Sequence, residues 1–284
     1  MLHQKSTINC NGQLIDLSEP IIMGILNVTP DSFFDGGKYE NVKALLNQVG
    51  KMISDGATII DVGGMSSRPG AEIITVEEEL NRVIPIIKII KEHFPKVIIS
   101  IDTIRSEVAK QSVVSGASII NDISGGSIDD KMLRTVAELS VPYILMHMQG
   151  KPENMQQEPH YQDVTKNVLS FFIEKIKELR VLGVKDIILD PGFGFGKTIE
   201  HNYQLLQNFT IFKILDLPLL AGTSRKSMIY KVLNTTPQEA LNGTTVLNTI
   251  ALERGAKILR VHDVKEAKEA VTLWKQLNHE PKTL

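Results

Sequence analysis

Polar side chains recur at one kind of place in this sequence, directly after short apolar runs. Asn27, Asp61, Asp102, Asn121–Asp122, His147, Asp190, Thr223–Ser224 and His262–Asp263 each close such a run. Taken singly, any of them has an ordinary structural reading, as a helix cap or as a partner for turn backbone. That reading is kept for Asp61, Asp122 and Asp263. A polar residue at nearly every run end is a different matter, because a fold that gathers those ends on one face gathers a reactive site there. Basic residues from four separate segments, Arg68, Lys226, Arg260 and His262, join the set. Each alone suits a surface ion pair; together at one mouth they form a local anion site, where guanidinium forks match phosphate oxygens well.

Two long segments rich in Gly, Pro and Ser follow the first two runs. Asn27–Gly37 carries Phe33 and Phe34, and Gly63–Ala71 carries Arg68. Plain connectors need neither, so these are expected to be loops that close over a substrate. The segment Asp190-Pro191-Gly192-Phe193-Gly194-Phe195-Gly196-Lys197-Thr198 imitates a phosphate loop. A Walker A loop needs glycine where Pro191 stands, and a dinucleotide fingerprint needs glycine where Lys197 stands. Its glycines are read instead as letting backbone lie flat beneath a planar ligand, with Phe195 on the site wall.

The elements that must position these residues follow from periodicity. The apolar runs, 21–26, 57–60, 97–101, 117–120, 143–146, 186–189, 217–221 and 257–261, are rich in Ile, Leu and Val and nearly continuous in hydrophobicity. Strands of a parallel sheet covered on both faces look like this. Between them lie segments with helical spacing, among them 42–53, 164–182 and 237–254, the last with Thr236 as N-cap and Pro237 at the first helical position. Strand and helix alternating eight times with right-handed crossovers predict a (β/α)8 barrel, with an open doubly wound sheet as the alternative. Thr7–Cys10, Asn11-Gly12 and Gln13–Leu17 predict an N-terminal β-hairpin over one end of it.

One domain is expected over residues 1–284, with the hairpin at 7–17 and the barrel at 20–277. The chain's 284 residues fit one barrel of about 250. A net charge of −2 shows no bias toward nucleic acid or an anionic membrane. A single cysteine, Cys10, excludes an internal disulfide framework and a cysteine-based metal site. The first residues lack the apolar core of a signal peptide and no apolar run spans a bilayer, so a cytoplasmic location is expected.

In order along the chain, Met23–Phe33, Ser67–Ala71, Ser100–Thr103, Ile119–Asp122, Met146–Gly150, Asp190–Lys197, Ser224–Ser227 and Arg260–Asp263 resemble the motifs of the dihydropteroate synthase family. The likeness spans residues 7 to 275. It implies condensation of 6-hydroxymethyl-7,8-dihydropterin diphosphate with 4-aminobenzoate, giving 7,8-dihydropteroate and pyrophosphate. It further implies that Asp102, Asn121, Asp190 and Lys226 hold the pterin, and that Asn27, Ser67, Arg68, Arg260 and His262 hold the diphosphate, with Mg2+ near Asn27. Phe33, Pro69, Phe195 and Ser227 would frame the aminobenzoate. Lys226, Arg260, Asp102 and Asp190 would carry the catalysis, and the resemblance implies a homodimer through late helices.

Those residue types suit that chemistry. A pterin edge offers adjacent N–H donors that a carboxylate accepts in pairs, and a departing diphosphate needs its growing charge neutralised. Two other readings share the barrel: a pterin-binding methyltransferase domain, which has no use for a diphosphate cradle, and a catalytically silent pterin-binding relative. Two positions depart from the family pattern, Met65 for a common Glu and Ser67 for a common Thr. Ser67 keeps the hydroxyl, whereas Met65 removes a carboxylate.

Overall fold

A computed structural model describes residues 7–28, 38–65, 74–150, 155 and 159–278. The hairpin pairs β1 (Thr7–Cys10) with β2 (Gln13–Asp16), and its turn residues Asn11 and Gly12 have φ of 54° and 90°. Positive φ at both positions is the backbone an Asn-Gly turn supplies.

From there strand and helix alternate as periodicity predicts: β3 (Ile21–Asn27), α1 (Lys38–Ser54), β4 (Ile59–Gly63), α2 (Val76–His93), β5 (Ile98–Asp102), α3 (Ser106–Val114), β6 (Ile119–Asp122) and α4 (Met132–Leu139). They continue as β7 (Tyr143–Met146), α5 (Val164–Val181), β8 (Ile187–Asp190), α6 (Ile199–Gln207), β9 (Leu220–Ala221), α7 (Ser227–Tyr230), α8 (Leu241–Glu253), β10 (Ile258–Val261) and α9 (Val264–Asn278). The eight strands β3 to β10 lie parallel in the order β8-β7-β6-β5-β4-β3-β10-β9. A parallel bridge from Leu189 to Leu219 closes the ring, which makes the sheet a (β/α)8 barrel rather than an open doubly wound sheet.

Strand side chains alternate between the faces of a sheet, and here each parity has its own partner. The outward set, including Ile60, Val62, Ile99, Ile101, Leu145, Leu189 and Val261, packs against the helices in one large core. The inward set begins with one apolar residue from every strand: Met23, Ile59, Ile98, Ile119, Ile144, Ile188, Leu220 and Ile258. Ile8, Cys10, Ile15 and Leu17 pack against that layer, so the hairpin plugs the N-terminal end of the barrel. Cys10 is buried there, and burial pushes its thiol up to about 12, with Asp186 adding to the rise.

The start of α8 corrects one expectation. The helix begins at Leu241 with Ala240 at its N-cap, and Thr236 lies in a preceding turn. Two things hold that turn out of the helix. The Glu239 carboxylate accepts from the hydroxyls of Thr235 and Thr236, at 2.6 and 3.0 Å. The Arg225 guanidinium takes the carbonyls of Pro237 and Gln238, which a longer helix would have used internally. No helix among the described residues is long and apolar enough to cross a membrane.

Candidate active site

Two residues further along, five of the eight strands turn polar on the inward face, while β3, β7 and β9 carry Ile25, Met146 and Gly222 there. Above the apolar floor stand Asp61, Ser100, Asn121, Asp190 and Arg260, and one inward step higher come Asn27, Asp102 and His262. Asn27, Asp61, Asp102, Asn121, Asp190, Ser224 and His262 therefore share the inward parity as well as one end of the barrel, whereas Asp122, His147, Thr223 and Asp263 fall on the other parity. The C-terminal end is where (β/α)8 enzymes build their sites.

Arg260 organises the centre. Its Nε donates to Asp61 Oδ2 and its Nη2 to Asp102 Oδ2, each at 2.7 Å. The same Asp61 oxygen accepts from Asn121 Nδ2 at 3.0 Å. Burial pushes the Asp102 carboxyl up to about 7, Asp61, Glu79 and Asp122 add to the rise, and Arg260 opposes it. Burial works against the Arg260 charge, but Asp61 and Asp102 outweigh it and hold the guanidinium above its ordinary value.

Asp190 and Lys226 form the opposite wall. Asp190 Oδ1 accepts the Gly192 backbone N–H at 2.8 Å. Burial raises its carboxyl, while Lys226, that N–H and Arg260 pull it back. Lys226 donates to the Phe193 carbonyl, and its Nζ lies 4.5 Å from the centre of the Phe195 ring. Burial draws its ammonium down to about 8, opposed by Asp190. Arg225, just before it, has φ of 54°, and its Nε and Nη2 donate to the two Asp263 carboxylate oxygens, each at 2.8 Å. Ser227 opens α7 immediately after Lys226, half-buried.

At the rim, the Ser224 hydroxyl accepts the His262 backbone N–H at 3.2 Å, and its oxygen lies 2.9 Å from His262 Nδ1. Asn27 is exposed at the end of β3. A methyl placed on Gly63 would stand 3.7 Å from Asn27 Oδ1 and 3.8 Å from Asp102 Oδ2, so the glycine keeps the ground between those two oxygens open.

The glycine-rich segment works differently from the sequence expectation. Gly192 and Gly196, with φ of 71° and 62°, press against the carbonyls of His147 and Gln149 in the segment after β7, where any Cβ would overlap them. Phe195 itself is buried, in an apolar cluster with Ile104, Ile123, Met146 and Met155. Met65 packs against that cluster, so the departure from the family's Glu adds apolar contact where a carboxylate would have stood.

Among the sequence-predicted residues, Asp102, Asn121, Asp190, Lys226, Arg260, His262, Asn27, Phe195 and Ser227 thus lie at the same end of the barrel. Ser67, Arg68, Phe33 and Pro69 fall outside the described residues. Asp122 fits its structural reading, accepting from Ser124, Gly126 and the Tyr143 hydroxyl; Asp263 is structural in another way, its carboxylate pairing with Arg225 rather than capping a helix or serving a turn. Asp61 does not fit the expected reading. It neither caps a helix nor serves a turn, because its side chain is wholly buried inside the barrel against Arg260 and Asn121. The signal was its spacing, two residues after the inward-facing Ile59. Ser224 and Lys197 were likewise unassigned, and His147 had no role; its ring Nδ1 lies 3.0 Å from the buried Lys197 Nζ.

The sequence matches the pterin binding enzyme family over residues 23–262. It is 50% identical over 262 residues to a dihydropteroate synthase of Escherichia coli (strain K12), covering 92% of each chain. A dihydropteroate synthase from Xanthomonas albilineans solved with 4-aminobenzoic acid superposes with a TM-score of 0.90 at 39% identity, over 97% of this chain and 99% of the other. The same organism's enzyme in complex with 7,8-dihydropteroate superposes at 0.86 with 37% identity, over 97% of this chain and all of that one.

Proposed function

The chain belongs to the pterin-binding enzymes, among the dihydropteroate synthases, and from that membership we propose how its barrel mouth performs the condensation. The reaction is a transfer: the amine of 4-aminobenzoate takes the place of diphosphate on the exocyclic carbon of the dihydropterin. The observation that supports the assignment of roles is the pairing of two opposed walls. One is Asp102 and Asn121 braced by Asp61 and Arg260; the other is Asp190 with Lys226.

Asp190 and Asp102 accept the donors along the pterin edge, Asn121 completes the set, and Lys226 donates to the ring's acceptor side. A planar heterocycle with several polar edges is buried only where each has a partner, since every unmet hydrogen bond costs about 1–3 kcal/mol. Arg260, His262 and Asn27 face the diphosphate, joined in this proposal by Ser67 and Arg68. Phe195 and Ser227, with Phe33 and Pro69, frame the aminobenzoate. Lys226, Arg260, Asp102 and Asp190 are the groups that act on the reacting molecule.

The donor set suits Mg2+. It prefers oxygen, keeps several waters, and is commonly held by one or two protein oxygens together with substrate phosphates. Asn27 Oδ1, exposed above Gly63, is such an oxygen. When bound, the ion supplies positive charge to the leaving diphosphate.

The C–O bond of the pterin's exocyclic carbon breaks ahead of nucleophilic attack. Its electron pair leaves on the diphosphate, where Arg260 and His262 meet the charge. The electron-rich pterin shares the positive charge left at carbon, stabilised by the carboxylates of Asp190 and Asp102. The aniline nitrogen then forms the new C–N bond and loses one proton. Purified protein incubated with the pterin diphosphate, aminobenzoate and Mg2+ is expected to form dihydropteroate. Pterin binding without product would favour a silent relative, and methyl transfer to a corrinoid protein would favour the methyltransferase. Pyrophosphate release and isotope exchange without aminobenzoate are expected from the early C–O cleavage; strict coupling of the two would overturn that order.

The same proposal includes a homodimer through the late helices and a cytoplasmic location. Support for the dimer comes from apolar side chains left exposed on α8 and α9, Val246, Leu273 and Leu277. Sedimentation equilibrium at micromolar concentration is expected to give twice the chain mass, and Leu273→Glu with Leu277→Glu to give the monomer.

A further inference from the structure

Lys197 occupies the position at which a phosphate loop would aim a lysine at an anion, and it points the other way. Its side chain is buried, and Nζ lies 3.0 Å from the Gly192 carbonyl, 3.0 Å from that of Phe195, 3.2 Å from that of His147, and 3.0 Å from His147 Nδ1. Carbonyl oxygens turned toward one buried point repel each other and are costly to leave unpaired. An ammonium at that point satisfies them with its three N–H donors; burial draws its charge down to about 7, with Asp190 opposing the fall, so the charged form is present below that value. The acceptors belong to two different segments, the exit of β7 and the exit of β8.

We propose that Lys197 is a positioning residue, an internal ammonium that staples the exit of β8 to the exit of β7 and thereby sets Phe195 and Lys226 at the mouth, its three N–H donors shared among three carbonyls and the His147 ring nitrogen. The two segments touch elsewhere as well. Gly192 and Gly196 press on the carbonyls of His147 and Gln149, and the Tyr161 hydroxyl donates to the Gly196 carbonyl at 2.8 Å. Lys226 takes the Phe193 carbonyl, between the two that Lys197 takes. One short stretch of backbone is thus divided between two lysines, and a shift of that stretch moves the Phe195 ring and the Lys226 ammonium together. His147 suits the task because burial and the neighbouring Lys197 push its imidazole down to about 2, leaving a neutral ring whose Nδ1 accepts. Phe171 holds the ring edge-on at 5.0 Å between centres.

The consequence for turnover rests on the proposed roles of Phe195 and Lys226, so the test has an arm that needs no synthase activity. Lys197→Ala removes three methylenes and an ammonium, the atoms of n-propylammonium. Thermal melts of this variant at pH 6.5 are expected to rise with n-propylammonium and to stay flat with 1-propanol, a neutral molecule of the same shape. In steady-state assays the variant is expected to raise KM for aminobenzoate about tenfold, the scale of one charge-assisted hydrogen bond, with n-propylammonium alone restoring it. Lys197→Met, which fills the space without charge, is expected to show the same rise and no restoration. A folded Lys197→Ala with KM within about twofold of the parent, or equal rescue by 1-propanol, would overturn the proposal. Should Lys197→Ala not fold, His147→Phe decides: it keeps the ring packing and deletes one acceptor, so an unchanged aminobenzoate KM counts against the staple and a rise of about threefold supports it. If the parent makes no dihydropteroate, the reaction assigned above fails, while the melts still decide whether an ammonium is required.

Discussion

Arg260 reaches from β10 across β3 to donate from Nε to Asp61 on β4, at 2.7 Å, inside the barrel. The oxygen that receives it also receives the Asn121 amide, so one buried carboxylate sets both a guanidinium and an amide that the site needs. Because a carboxylate only accepts, Asn121 must turn its nitrogen toward Asp61 and cannot flip.

Removing one partner of a buried ion pair leaves the other charge uncompensated, at a cost of about 3–5 kcal/mol. Asp61→Ala is therefore expected to lower the urea midpoint strongly and to weaken pterin binding, although the carboxylate is assigned no contact with the pterin. Asp61→Asn keeps an acceptor and is expected to lose less stability. Chemical denaturation and calorimetric titration of 6-hydroxymethylpterin measure the two effects; unchanged pterin affinity in a folded Asp61→Asn would show that Asn121 and Arg260 hold their places without the charge.

Asp190 ends β8 and Asp263 lies two residues past the end of β10, both carrying a carboxylate, yet their substitutions should separate. Asp190→Asn replaces a paired acceptor for the pterin edge, and a charge-assisted hydrogen bond is worth about 1.5–3 kcal/mol, so pterin affinity is expected to fall by about 10- to 150-fold. Asp263→Asn loosens Arg225, which in turn holds the Pro237 and Gln238 carbonyls. Its effect is expected in the melting temperature, with pterin affinity held within about twofold. Equal loss of affinity in the two folded variants would refute the division of roles.

Burial draws the Lys226 ammonium down to about 8 in the free protein, with Asp190 opposing the fall. Its charged form is present below that value and is lost as pH rises through it. If the ammonium donates to the pterin, kcat/KM for the pterin diphosphate should fall on the alkaline side of about 8. Lys226→Arg, whose guanidinium does not titrate in this range, should retain less activity but lose that limb. A limb that persists unchanged in Lys226→Arg belongs to another group.

Strands, helices and barrel were legible because parallel strands buried on both faces read as unbroken apolar runs, and Asn11-Gly12 encodes its turn in two residues. The ring of strand ends was legible for the same reason: where a run stops, the mouth begins. What sequence hid was the depth of each polar residue. Asp61 precedes Val62 and Gly63, still within its strand, and looked like a turn residue until Ile59 was seen to face inward. Lys197 was hidden because two of its four acceptors, the carbonyl and ring nitrogen of His147, come from a distant segment, which no local pattern records. The start of α8 was missed for a related reason, since Arg225 draws off the carbonyls that would have lengthened it.

Gly192 and Gly183 offer a controlled pair for the packing beneath the mouth. Both have left-handed backbone, φ of 71° and 90°, so an alanine at either loses about 1–2 kcal/mol to backbone strain alone. They differ in what the new methyl meets. At Gly183 nothing lies within 4 Å, whereas at Gly192 the methyl overlaps the His147 carbonyl, a main-chain atom that cannot rotate away. Gly183→Ala is therefore expected to lose only the strain term, and Gly192→Ala that term plus the cost of prising the exit of β8 off the exit of β7. Because Gly192 N–H also holds Asp190, the second variant should lose pterin affinity while the first keeps it. Urea unfolding and pterin titration of the two, side by side, read the packing and the site separately; equal destabilisation would mean that the two exits are not pressed together as their backbones indicate.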